Sequence, residues 1–172
     1  MIMTKKQNTI KKDYSFHGKG LHSGKPVTMT LKPAPADTGI RFVRTDISPD
    51  ATVEALAENV SSTARSTTIS SGEATVGTIE HLLSALTGLG VDNVLIDIDS
   101  AEVPILDGSA KPYVDAIAPD GLAEQDAPRH YVTVKEKVEY RNPETGAFLT
   151  VEPADTFSYD ITIDFNSKVL GV

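Results

Sequence analysis

Residues 77–100 constrain the fold more than any other stretch. Ile79, Leu82, Leu83, Leu86 and Leu89 recur at helical spacing and lay one apolar stripe along a short helix. Thr78 stands where an N-cap is expected, and Gly88 or Gly90 can end the helix in a left-handed conformation. A strand pattern follows almost at once: over 93–100, Val94, Ile96 and Ile98 alternate with Asp97 and Asp99. A helix with one apolar stripe needs a surface to cover, and a strand with one apolar face supplies it. The pair predicts an α+β architecture with helix packed on sheet.

The rest of the chain extends that plan. Residues 8–16 hold a short run of β-formers. "HGKGLHSGKP" (17–26) carries Gly18, Gly20 and Gly24, which implies a turn with unusual dihedrals or a close backbone approach. Residues 27–33 and 40–46 read as a hairpin across the turn "APADTG"; residues 51–60 read as a strand and a turn. A second hairpin is expected over 63–77, turning at Ser71-Gly72. Residues 102–121 read as a loop and a second short helix near 110–118, with Ser109 as its cap, Lys111-Pro112 in its first turn and Pro119-Asp120-Gly121 as its stop. Both helices, 78–89 and 110–118, are expected on one face of a mixed or antiparallel sheet, giving two layers.

The polar, proline-containing "AEQDAPRH" (123–130) reads as a domain boundary, dividing the chain into a first domain over 1–127 and the start of a second over 128–172. In that second part, three antiparallel strands are expected at 131–140, 147–152 and 158–165. Their apolar face carries Val132, Val134, Val138, Tyr140, Tyr159, Ile161, Ile163 and Phe165, and no helix follows to cover it. Exposed apolar patches of more than a few hundred Å² mark interfaces, so self-association through 131–165 is expected. The chain reads as a piece of something longer.

Composition narrows the function. With 16 basic and 24 acidic residues, the net charge of −8 gives no general attraction for a phosphate backbone, so nucleic acid is not an expected partner. The cluster Lys5, Lys6, Lys11 and Lys12 reads as a solvated terminal segment. There is no cysteine, which excludes disulfides and thiolate metal sites and suits the cytoplasm. No stretch approaches the ~20 apolar residues of a membrane-spanning helix.

One pair does not belong to a core helix. Glu80 and His81 stand side by side in the first turn of the leucine-striped helix. An imidazole can bind a metal, and a neighbouring carboxylate can take a proton from water attacking a carbonyl. Neighbours on a helix point ~100° apart, so both can flank one small site. The same pair also fits a plainer reading, a carboxylate favoured by the helix dipole beside a surface histidine. On that reading the chain is a non-catalytic α+β module that binds a sugar nucleotide or a protein partner.

Five segments together carry a resemblance. They are "KGLHSGKPVTMTLKPAPADTGIRFVRTD", "TARSTTIS", "TIEHLLSALTGLGVDNVLIDID", "EVPILDGSAKPYV" and "YDITIDFN". In order and spacing, from about residue 8 to 166, they resemble the N-terminal half of the UDP-3-O-acyl-N-acetylglucosamine deacetylases, zinc enzymes of lipid A biosynthesis in Gram-negative bacteria. The resemblance implies two similar α+β domains with the active site between them. It implies His81 as a zinc ligand and Glu80 as the general base, and a UDP-linked acylated glucosamine as substrate. It also points to His22 as structural or as an assistant to the site, and to Arg65 and Ser66 as substrate-lining residues. The family's remaining zinc ligands lie in an H-K-x-x-D motif, which does not occur in this sequence. The resemblance therefore implies that these 172 residues alone hold zinc weakly or not at all and are inactive.

Overall fold

The computed structural model describes residues 5–164 and Val169. The chain divides into two compact units, the first ending at Arg129 and the second beginning at His130. The first unit is built on a five-stranded sheet in the order β2-β3-β9-β4-β5. Its strands are β2 (Tyr14–Lys19), β3 (Pro26–Pro33), β4 (Ile40–Arg44), β5 (Thr52–Glu54) and β9 (Val94–Ile98). β1 (Lys6–Ile10) pairs with β10 (Leu122–Pro128), and β6 (Val60–Ser62), β7 (Thr68–Ser71) and β8 (Ala74–Gly77) form a small antiparallel sheet.

The alternation of the strands decides which face is covered. Leu31, Ile96, Phe42 and Val53 align across β3, β9, β4 and β5, and all four are buried. Their neighbours Thr30, Asp97 and Thr52 lie on the opposite, more polar face. Helices α1 (Glu80–Leu89) and α2 (Lys111–Ile117) contribute Leu82, Leu86, Tyr113 and Ile117 to the same core. α2 is fixed by Tyr113, whose ring meets Phe16 of β2 edge-on at 4.8 Å and whose hydroxyl donates to the Pro104 carbonyl at 2.8 Å. The helices thus lie on one face of the sheet, and the architecture is α+β.

Several local expectations differ from the structure. β3 and β4 are not a hairpin: β9 lies between them, antiparallel to β3 and parallel to β4. Alternation reports that a strand is half-buried but not which strand lies beside it. β9 has an all-apolar inward row, with Val94, Ile96 and Ile98 fully buried, and the central place covers that row from both sides. The expected hairpin at 63–77 is β7–β8, with Gly72 in the left-handed region at its turn, and β6 adds a third strand. Within 123–130, read as the boundary, residues 123–128 form most of β10, and the two units divide at 129–130. Gly90 ends α1 in the left-handed conformation, its N–H donating to Leu86 and Thr87 carbonyls.

The second unit contains β11 (Val138–Arg141) and β12 (Phe148–Val151), antiparallel with Val138 opposite Val151 and Tyr140 opposite Leu149. All four side chains remain exposed. The third expected strand is not formed over 158–164, where Tyr159, Ile161 and Ile163 are exposed; Phe165 lies outside the described residues. A period of two gives the faces a strand would have once paired, but pairing itself needs a neighbour's hydrogen-bonding groups.

Candidate functional site

Three segments converge at the N-terminal end of α1. The first is the peptide that joins β8 to the helix. β8 ends at Gly77, whose N–H donates to the Ala101 carbonyl at 2.9 Å and whose carbonyl accepts from Val103 N–H at 3.1 Å. Thr78 then turns into the left-handed region, with φ of 58°, and the helix starts two residues later. Positive φ in a buried, β-branched residue is an outlier that costs on the order of 1–3 kcal/mol. Thr78 is therefore not the N-cap that the sequence suggests, because its hydroxyl is turned away from the helix and donates to Glu102 Oε1 at 3.0 Å. The helix has no side-chain cap; Ile79 occupies that position.

The second segment is the glycine-rich connection between β2 and β3. The backbone N–H of His22 donates to Glu102 Oε1 at 2.9 Å and that of Ser23 to Glu102 Oε2 at 2.8 Å. Both readings of the glycines hold, at different positions. Gly24 adopts a φ of 63°. Gly20 is there for close approach: a Cβ on it would fall on Glu102 Oε2 and Ser23 Oγ.

Glu102 thus joins the loop and the helix start with its two oxygens. Burial would by itself raise its carboxyl group's pKa. The hydrogen bonds from His22, Ser23 and Thr78 act the other way and win, holding it at about 2 against an ordinary 4.5. The sequence reading missed this residue. Its one signal is a carboxylate placed just before Val103-Pro104, in a stretch that is otherwise apolar.

The third segment is 63–67. Thr67 N–H donates to Glu80 Oε2 at 3.1 Å, tying this loop to the first helical turn. Arg65 is exposed and left-handed, with φ of 63°, and Ser66 is half-buried. Both lie within two residues of the amide that orients Glu80.

The structure thus brings Glu80 and His81 to the mouth of α1, half-buried on a helix whose inner face is formed by Leu82 and Leu86. Among the described residues, Glu80 Oε1 takes no hydrogen bond, which leaves it open as an acceptor. The His22 side chain is exposed; what its segment contributes to the fold is its backbone N–H. No group of three His, Asp or Glu side chains able to hold a metal ion occurs among the described residues. The residues present therefore do not by themselves fit a catalytic zinc, which takes three protein ligands. No helix among the described residues is long and apolar enough to cross a membrane.

Comparison with known proteins bears on the same residues. The family model described as UDP-3-O-acyl N-acetylglycosamine deacetylase matches residues 7–172. The UDP-3-O-acyl-N-acetylglucosamine deacetylase of Hahella chejuensis is 47% identical over 165 residues, covering 96% of this chain and 54% of that protein. Its counterpart in Cellvibrio japonicus is 46% identical, covering 95% of this chain and 54% of its own length. The bifunctional enzyme LpxC/FabZ of Porphyromonas gingivalis is 46% identical over 166 residues, 96% of this chain and 36% of that protein. The chain thus spans about half the length of the single-function relatives and about a third of the bifunctional one.

Proposed function

The chain belongs to the UDP-3-O-acyl N-acetylglycosamine deacetylase family, and from that membership we propose that it supplies part of an enzyme that removes the acetyl group from UDP-3-O-acyl-N-acetylglucosamine. The reaction is an amide hydrolysis in lipid A biosynthesis, placed by this reading in the cytoplasm of a Gram-negative bacterium. Water adds to the acetamide carbonyl, the C–N bond breaks, and acetate and the free glucosamine amine leave. The observation that supports this reading is the family match over residues 7–172, with Glu80 and His81 standing together, half-buried, at the helix mouth.

On this reading Glu80 is the general base. Thr67 N–H orients one carboxylate oxygen, and the other would accept a proton from the attacking water. His81 would contribute one imidazole to the zinc that the family uses. The described residues do not complete the three-ligand set, so on this reading further ligands would join His81. Arg65 and Ser66, on the loop tied to Glu80, line the substrate. His22 acts through its backbone as part of the support, with its exposed ring as an assistant to the site.

The test is acetate release from UDP-3-O-acyl-N-acetylglucosamine by the complete protein encoded by the gene. Turnover should fall at least 100-fold in both Glu80→Gln and His81→Ala. Wild-type turnover that survives either substitution would remove these residues from the chemistry. No turnover by the wild type would remove the activity.

A further inference from the structure

The buried carboxylate of Glu102 is not among the residues that the reaction needs for proton transfer or metal binding, yet it bonds both the residue that leads into the turn carrying them and the His22 loop. Thr78 lies two residues before Glu80 and three before His81, in a backbone conformation that a β-branched residue avoids. Something must hold it there. Among the described residues its hydroxyl bonds Glu102 Oε1. The same oxygen accepts from His22 N–H, and the second oxygen accepts from Ser23 N–H. Gly20 leaves the space that this carboxylate occupies. The Gly77 backbone is bonded on both sides to residues 101 and 103, which sets Glu102 beneath Thr78.

We propose that Glu102 is a positioning residue for the deacetylation: it holds Thr78 left-handed, and so aims the first turn carrying Glu80 and His81, while it locks the His22 loop to the same point. The physical argument is one of over-determination. A strained backbone angle persists where surrounding bonds outnumber its alternatives, and such angles gather at sites that need fixed geometry. A helix start aimed by a single buried carboxylate also gives Glu80 a fixed direction relative to the Thr67 amide. Small errors of aim at a general base are expensive in rate. The inference rests on the roles proposed above for Glu80 and His81.

Two measurements test it separately from those roles. The first is turnover by the complete protein carrying Glu102→Gln, Thr78→Val or Thr78→Ser, each assayed below its own melting temperature. Glu102→Gln replaces one acceptor oxygen with a donor, and Thr78→Val replaces the hydroxyl with a methyl group of similar size. Both should lower kcat about tenfold or more and leave KM within about twofold, because the lost element is aim rather than substrate contact. Thr78→Ser keeps the hydroxyl and should stay within about twofold of wild type. Folded Glu102→Gln and Thr78→Val proteins with wild-type kcat overturn the proposal. Where Glu102→Gln does not fold, Thr78→Val decides.

The second measurement is the amide resonances of Thr67, Glu80 and His81 in the 172-residue chain, which needs no activity. These should move in Thr78→Val and not in Thr78→Ser. If the wild-type enzyme does not deacetylate the UDP-linked sugar, the proposed function fails and this arm still decides. Unmoved Glu80 and His81 amides in a folded Thr78→Val chain would overturn the positioning role.

Discussion

Acidification should expose the Glu102 carboxylate as a discrete contribution to stability. The group is buried and its folded pKa is depressed, from an ordinary 4.5 to about 2. A depressed carboxyl stabilises the fold above the unfolded pKa and loses that contribution as pH falls through the folded one. The window is therefore from roughly pH 5 down to about 2. The gap between 4.5 and about 2 corresponds to about 3 kcal/mol at neutral pH, taking ~1.4 kcal/mol per pH unit. More than half of that should be gone by about pH 3. Glu102→Gln cannot titrate. It should start about 2–3 kcal/mol less stable at pH 7, because an amide nitrogen now meets one of the N–H groups that the carboxylate accepted from. It should also lack the acid-dependent loss. The assay is urea unfolding of the 172-residue chain at a series of pH values between 7 and 2.5, wild type beside Glu102→Gln. The two stabilities should converge as pH falls. Parallel curves, with the gap unchanged at low pH, would show that Glu102 is not the charged acceptor the geometry describes.

Three further outcomes are expected. Gly20→Ala should destabilise by about 2–3 kcal/mol, since its Cβ collides with Glu102 and Ser23, whereas Gly88→Ala, with open space around it inside α1, should stabilise by about 0.5–1 kcal/mol; thermal melts of the two variants should shift in opposite directions. After dialysis with zinc, the 172-residue chain should retain far less than one equivalent by metal analysis, because the described residues bring no three ligands together, and stoichiometric zinc would place the ligand set within this chain. The exposed row Val138, Tyr140, Leu149 and Val151 should drive self-association of the chain, seen as a mass in light scattering that rises with concentration; a monomer across a wide range would refute it.

What the sequence determined by itself is whatever a local period or a local backbone requirement can encode. The leucine stripe and Gly90 specify α1 because a helix repeats every 3.6 residues and ends cheaply on a glycine. The alternation of 94–98 specifies β9 and its inward face, and Glu80 and His81 are legible because two reactive groups are out of place at the start of an apolar stripe. Tertiary structure decided which strand lies beside which. β9 lies between β3 and β4, where its apolar row is covered from both sides, and a local alternation pattern does not say which strand will be the neighbour. It also decided what Thr78 does. As a sequence position it reads as a helix cap. In the fold its hydroxyl is taken by a carboxylate 24 residues away, a buried, charge-assisted bond that offsets part of the cost of the lost cap and the strained φ. Glu102 carried only a faint local signal for the same reason: a buried charge is recognised by the donors that surround it, and those come from His22, Ser23 and Thr78, some 80 and 24 residues away along the chain.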